Sequence, residues 1–224
     1  MCVRPYDTLL KAVQDAHVFR RNKRPLRSKV VACLLYMSGL SYRAMTYQSS
    51  MVDASHTSVH RWVHALRGIV SRVPRKERRV VAIDETKLKV NGRQVFVWAA
   101  IDVDTKELLA VYASYYRSNI NTLVFLKKVL GTCANKPLVL VDGGPWYPWP
   151  LDRMGFRWLH VTFGYRNAME RLFRTLKERT RRFYNNLTSD RMENLQGFMD
   201  VFMLWYNHLR RHQGIGKVPL EDLS

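Results

Sequence analysis

Three carboxylates in this chain lie where the sequence can hold a charge rigidly. Asp84 stands in "AIDET", within a run of β-branched residues. Asp142 ends the apolar run "PLVLVD", and Gly143 and Gly144 after it let the backbone turn. Glu170 lies in "YRNAMERLFRTLKERTRRFYN", where apolar residues recur at helical spacing. Singly, each acid has an ordinary reading: a strand-end cap, a turn residue, and an ion-pair partner of Arg174. Together they follow the order strand, strand tip, helix. Hard oxygen ligands on three rigid elements suit Mg²⁺ or Mn²⁺, which keep water and phosphate oxygens as their other ligands. Two such ions can activate one oxygen and stabilise the leaving one in an in-line phosphoryl displacement.

The elements that position these acids begin near residue 80. "RVVAIDETKLKV" reads as a strand, and Asn91-Gly92 between it and "QVFVWAAIDVD" is a hairpin signal. "ELLAVYASY" predicts a third strand after a turn in which Asp102 and Asp104 act as turn formers, Asp102 being the reserve acid. "NINTLVFLKKVLGTC" has helical spacing at Leu123, Leu126 and Leu130. "KPLVLVDGG" reads as a fourth strand buried on both faces, because its apolar run is continuous. Ligands in open α/β sheets collect outside such strand tips. A short helix at "LDRMG", a fifth strand at "FRWLHVTF" and two long helices follow. The result is a mixed α/β domain. In the helix of Glu170, the residues Met169, Leu172, Phe173, Leu176, Thr180 and Phe183 predict a buried stripe. Asn167, Glu170, Arg174 and Lys177 fall on another face, one turn apart.

The region before residue 75 has a different texture. Residues 1–26 are polar and basic, and helical patterning starts at Ser28 with Val30, Val31, Leu34 and Leu35. "SYRAMTYQ" predicts a short second helix and "HTSVHRWVHALRGIV" a third. Short helices, tight turns and a basic last helix suggest a helix-turn-helix, with Arg61, His64 and Arg67 as DNA contacts. The alternative is a helical cap on the next domain. His56, His60 and His64 recur every four residues, but no further zinc ligand lies nearby in sequence. They read as surface histidines facing phosphate. "SRVPRKERR", from Ser71 to Arg79, reads as a linker that either touches DNA or is a run of solvated charge.

Composition narrows the partner. Lys and Arg number 37 against 18 Asp and Glu, a formal charge of +19, and the basic residues recur along the whole chain. That excess predicts a polyanion, with nucleic acid ahead of the alternative of a merely solvated basic surface. Cys2, Cys33 and Cys133 are too widely spaced for a disulfide framework or a cysteine zinc site, as expected for a reducing compartment. No apolar leader follows Met1, and "VVACLLYM" is too short to cross a bilayer. A cytoplasmic, nucleoid-associated protein with no membrane partner is the expectation.

With Asp84, Asp142 and Glu170 in this order, the chain resembles the DDE transposases and the retroviral integrases. "DGGPWYPWPLDRMGF", "HVTFGYRNAMERLFRTLKERTRRFYN" and the tail "WYNHLRRHQGIGKVPLE" are similar to family six of insertion-sequence transposases, especially archaeal ones. The resemblance covers about residues 78 to 220, with a looser match over the N-terminal helices. Only 27 residues separate Asp142 from Glu170, fewer than in many relatives, and the brief "LDRMG" element accounts for the shortening.

The resemblance implies an RNase H-like mixed five-stranded sheet flanked by helices, preceded by a small all-α helix-turn-helix domain. The expected boundary places DNA binding in 1–75 and catalysis in 76–224. It implies a polynucleotidyl transferase that binds terminal inverted repeats of double-stranded DNA, cuts one strand and joins it to target DNA. Asp84, Asp142 and Glu170 would hold two Mg²⁺ or Mn²⁺ ions. Lys177, seven residues after Glu170, and Arg174 would meet DNA phosphate. Trp146 and Trp149 stack on an unpaired base or simply pack the short helix. Pairing two DNA ends implies a homodimer or higher homo-oligomer. A purely hydrolytic nuclease of the same fold and a catalytically inactive DNA-binding derivative are the alternatives.

Overall fold

Runs of apolar residues, most of them buried on both faces, build a single five-stranded sheet. A computed structural model of the chain describes residues 5–19, 23–48, 51–70, 73–90, 92–161, 166–182 and 192–220. The strands are β1 (Val80–Val90), β2 (Arg93–Asp102), β3 (Leu108–Ser114), β4 (Leu138–Val141) and β5 (Trp158–His160). Their order across the sheet is β3-β2-β1-β4-β5. The pairs β1–β2 and β2–β3 are antiparallel, whereas β1–β4 and β4–β5 are parallel. Val90 pairs with Arg93, and Gly92 adopts φ +79°, as the hairpin signal requires.

The helices are α1 (Pro5–Asp15), α2 (Leu26–Met37), α3 (His56–Ala65), α4 (Arg67–Val70), α5 (Asn119–Gly131), α6 (Pro148–Arg153), α7 (Arg166–Arg182) and α8 (Met192–Leu204). The chain forms two compact units, Met1–Arg72 with Asp200–Ser224, and Val73–Met199. In the larger unit, Val81, Ile83, Val139 and Val141 face a core completed by Phe125, Leu126 and Val129 of α5 and Leu151 of α6. Trp98 is fully buried there and donates its indole N–H to Ser114 Oγ at 2.8 Å. Helix α7 packs against β1. Its Met169, Leu172, Phe173, Leu176 and Thr180 are buried, which is the stripe predicted from spacing; Phe183 lies outside the described residues. Gln196 of α8 bonds Val111 O at 3.1 Å and receives Ala113 N–H at 3.0 Å, so the β3 edge does not offer those groups to another strand.

Three features depart from the sequence reading. The polar segment 1–26 contains α1, which buries Leu9, Ala12 and Val13 in the smaller unit. The short sixth helix starts earlier than "LDRMG", with Pro148 in its first turn, where a missing N–H costs nothing. Residues 73–79 are not wholly a run of solvated charge, although Arg75, Glu77 and Arg79 are exposed. Arg75 Nε donates to Cys133 O at 3.0 Å, and Arg78 is 2% exposed.

Arg78 organises the end of the sheet away from the acids. Its Nη1 donates to Asp102 Oδ2 and Glu107 Oε2, each at 2.8 Å, while Nε reaches Thr132 O at 3.0 Å. Lys76 also pairs with Glu107. Asp102 Oδ1 accepts the N–H groups of Asp104 at 2.9 Å and Thr105 at 3.0 Å. Asp102 is thus a turn former and a buried ion-pair partner. Burial alone would raise its carboxyl, but the Thr105 N–H, the Arg78 guanidinium and the Asp104 N–H outweigh burial and lower it from 3.8.

Candidate active site

Sheet register brings Asp84 and Asp142 together. The parallel pairing of β1 with β4 runs from Val80–Leu138 to Ala82–Leu140. Each acid lies two residues beyond the last pair, and strand side chains alternate with period two. Asp84 and Asp142 therefore share one face, beside the point where short β4 ends against the middle of longer β1. One oxygen each from Asp84, Glu85 and Asp142 falls within 4.8 Å of the others. Asp84 Oδ1 accepts Glu85 N–H at 2.8 Å, and Asp142 Oδ1 accepts Gly144 N–H at 3.4 Å. Each carboxylate is oriented by the backbone that follows it.

Glu170 approaches from α7. It is not in that three-acid group, but it lines the same cleft of about 740 Å³ with Asp84, Asp142, Arg174 and Lys177. Glu170, Arg174 and Lys177 are all exposed. The cleft so combines carboxylates at the sheet with cations on the helix. An all-carboxylate donor set around half-buried Asp84 and Asp142 fits a hard divalent cation and disfavours a soft one.

Glu85 was not singled out by sequence. It adjoins Asp84, yet its partners come from segments far along the chain. Its side chain is 4% exposed. Oε1 accepts Arg117 Nη1 at 3.1 Å, and Oε2 accepts Trp146 Nε1 at 3.3 Å and the Tyr147 hydroxyl. Burial first, then the charges of Glu85, Asp84 and Asp142, hold that hydroxyl well above its ordinary 10.0, so Tyr147 remains a donor. Trp146 is half-buried with the Arg117 guanidinium 4.2 Å from its ring centroid, and it packs on the core. Trp149 is 49% exposed, with Arg153 5.5 Å from its ring centroid. The two tryptophans read alike in sequence therefore have different surroundings.

Gly144 is required by this packing. A Cβ there would meet the Trp146 indole at 2.7 to 2.9 Å, too close for any real contact. Gly144→Ala is expected to push the indole off Glu85 and cost about 1–3 kcal/mol, as overpacking does. Urea unfolding and Trp fluorescence check this. An unchanged midpoint and spectrum would show that the indole moves freely.

In the smaller unit, the three sequence-predicted contacts differ in exposure. Arg61 is exposed on α3. Arg67 is half-buried, its Nη2 lies 3.5 Å from His64 Nε2, and its Nε is buried without a hydrogen-bond partner. The His64 ring lies 3.9 Å from that of His60. Burial, then the charge of Arg67, then His60, push His64 down to about 4. At neutral pH it meets any partner as an uncharged ring. Among the described residues, these histidines are not in a metal-binding group.

Comparison with known proteins places this architecture. A family model described as a DDE domain matches residues 78–208, more than half of the chain. The chain belongs to the DDE transposases of insertion sequences. It is 39% identical to the Methanocaldococcus jannaschii protein MJ0017 over 206 residues, covering 91% of this chain and 96% of that one. It is 24% identical over 197 residues to the Staphylococcus aureus transposase for insertion sequence-like element IS431mec, covering 83% and 87% of the two chains. Among solved structures, the HTLV-2 integrase catalytic core domain in complex with magnesium superposes with a TM-score of 0.51 at 12% identity, over 65% of this chain and 96% of that one. This last likeness is one of fold, and the five-stranded sheet is RNase H-like. Among the described residues, no helix is long and apolar enough to cross a membrane.

Proposed function

We propose that the chain binds the terminal inverted repeats of its element and catalyses metal-dependent DNA strand cleavage and strand transfer. The observation that carries this reading is the meeting of Asp84 and Asp142 beside the end of β4, in a cleft that Glu170 and Lys177 also line. Asp84, Asp142 and Glu170 would hold the divalent ions, Mg²⁺ or Mn²⁺ and two in number. When bound, these ions supply the Lewis acidity that activates an attacking oxygen and stabilises the leaving one. The magnesium in the HTLV-2 integrase core supports the choice of ion. The net charge of +19 supports a DNA partner. Joining two element ends calls for at least a homodimer.

The residues of the chain do the rest. Arg174 and Lys177 hold DNA phosphate at the rim of the cleft. Lys177 stands seven residues, about 10 Å of helix rise, beyond Glu170, so it contacts phosphate without shaping the acid cluster. In the smaller unit, exposed Arg61 reads the repeat, with His64 and Arg67 behind it.

A strand-transfer reaction with labelled element ends, Mg²⁺ and a plasmid target tests this reading. The expected product is a labelled end joined to plasmid. Cut but unjoined DNA would identify a hydrolytic nuclease, and bound but intact DNA an inactive derivative. Lys177→Ala is expected to slow joining and to flatten the salt dependence of binding by roughly one unit of log–log slope. Equal joining rates and parallel slopes would reduce Lys177 to surface charge.

A further inference from the structure

The backbone pairing of β1 with β4 stops at Ala82–Leu140, short of both acids. The register brings the two acids to one place, but no ladder bond joins their residues, which leaves room for a further contact to set their separation. Glu85 follows Asp84 directly, and its carboxylate lies beside the acid pair at the end of β4, one oxygen within 4.8 Å of an oxygen of each and lining the same cleft. There its carboxylate receives donors from Trp146 and Tyr147, which follow Asp142 by four and five residues, and from Arg117. The bonds to Trp146 and Tyr147 therefore tie β1 to the segment leaving β4, across the gap between the two acids.

The tie is anchored at each end. Tyr147 is fully buried and meets Trp98 edge-on, with ring centroids 5.9 Å apart. Arg117 lies between two rings, 4.8 Å from the centroid of Phe96 and 4.2 Å from that of Trp146. It immediately precedes Ser118, whose hydroxyl caps α5. A buried carboxylate is costly unless fully bonded, and three donors meet that requirement here. Both oxygens are engaged, so Glu85 is poorly disposed to ligate an ion directly, although one of its oxygens lies near the acid pair.

We propose that Glu85 is a positioning residue: through Tyr147 and Trp146 it sets the spacing of Asp84 and Asp142, and so the affinity of the site for a divalent cation. This rests on the reading above, in which Asp84 and Asp142 hold that cation. Groups that orient metal ligands typically change affinity by about 10–100-fold when removed. Tyr147→Phe deletes one hydroxyl and keeps the buried ring, so the fold is preserved. Glu85→Gln keeps the shape but presents an amide where one carboxylate oxygen accepted a donor.

The experiment is Mn²⁺ binding to the full-length, DNA-free protein, followed by electron paramagnetic resonance of the free ion. Wild type, Asp84→Asn, Tyr147→Phe, Glu85→Gln and the Glu85→Gln/Tyr147→Phe double variant are compared. The expected result is a roughly tenfold weaker Kd for Tyr147→Phe and a loss at least as large for Glu85→Gln. The double variant should bind no more weakly than the weaker-binding single, because both act through one tie. With cleaved DNA as the second readout, the rate at saturating Mn²⁺ should fall by less than the affinity does. Wild-type affinity in Tyr147→Phe, while Asp84→Asn loses binding, would overturn the proposal and leave the metal site standing. Loss of all binding in Glu85→Gln with none in Tyr147→Phe would make Glu85 a direct ligand and also overturn it. Unaltered binding in Asp84→Asn would overturn the metal-site reading itself, and the proposal with it.

Discussion

Asp84→Asn and Asp142→Asn should each lower strand cleavage by about 1,000-fold or more, the scale on which losing a preorganised electrostatic element acts. Asparagine keeps the shape of the side chain and removes its charge. The two acids share one face by register, and one oxygen of each lies within 4.8 Å of the other. Removing either charge therefore halves the carboxylate pair. Glu170→Gln should be similarly inactive, because α7 brings Glu170 to the same cleft, with Glu178 two turns further along the helix. Binding to element ends should persist in all three variants, since carboxylates repel phosphate and do not supply that affinity. Gel-shift and cleavage assays on the same DNA separate the two effects. Near-normal cleavage by any variant would remove that residue from the site.

Arg78→Met should have the largest effect on stability. Arg78 is 2% exposed and gives one nitrogen to both Asp102 and Glu107. Its loss leaves two carboxylates buried without that partner, at a cost of about 3–5 kcal/mol near pH 7. The pH dependence has a definite sign. In the wild type, the Asp102 carboxyl is held below 3.8, so its contribution is present above that value and fades as pH falls through the lowered one. In the variant, burial acts without the guanidinium, and the carboxyl protonates more readily. The gap between wild type and variant should therefore narrow as the pH is lowered from 7 toward 4. Urea unfolding at several pH values measures it. A gap that is small at pH 7, or that widens on acidification, would show that Arg78 does not neutralise these acids.

The strands were legible because β-branched and continuous apolar runs are bounded by turn residues, and β2, β3 and β4 are buried almost throughout. The helix of Glu170 was legible because Met169, Leu172, Phe173 and Leu176 repeat at helical spacing and are buried. Asp142 stood out because an apolar run that ends in a charge and two glycines has few reasons to do so. The rest depended on contacts that no local pattern carries. Arg78 sits among Arg75, Lys76, Glu77 and Arg79, and its burial is decided by Asp102 and Glu107 on other segments. Helix α1 buries only three residues, too few to stand out among Asp7, Lys11 and Asp15. The packing of Trp205–Leu209 against α1 joins opposite ends of the chain. Glu85 looked like a neighbour of Asp84, because Arg117, Trp146 and Tyr147 reach it only in the folded sheet.

The central claim is that the acid-lined cleft directs a single in-line displacement at phosphorus, with no covalent link between protein and DNA. Strand transfer into target DNA carrying a phosphorothioate of known chirality measures this directly. One in-line displacement inverts the configuration at phosphorus. Two successive displacements, through a protein–DNA adduct on a serine or tyrosine, restore it. The account predicts inversion in the joined product; retention of configuration would contradict it.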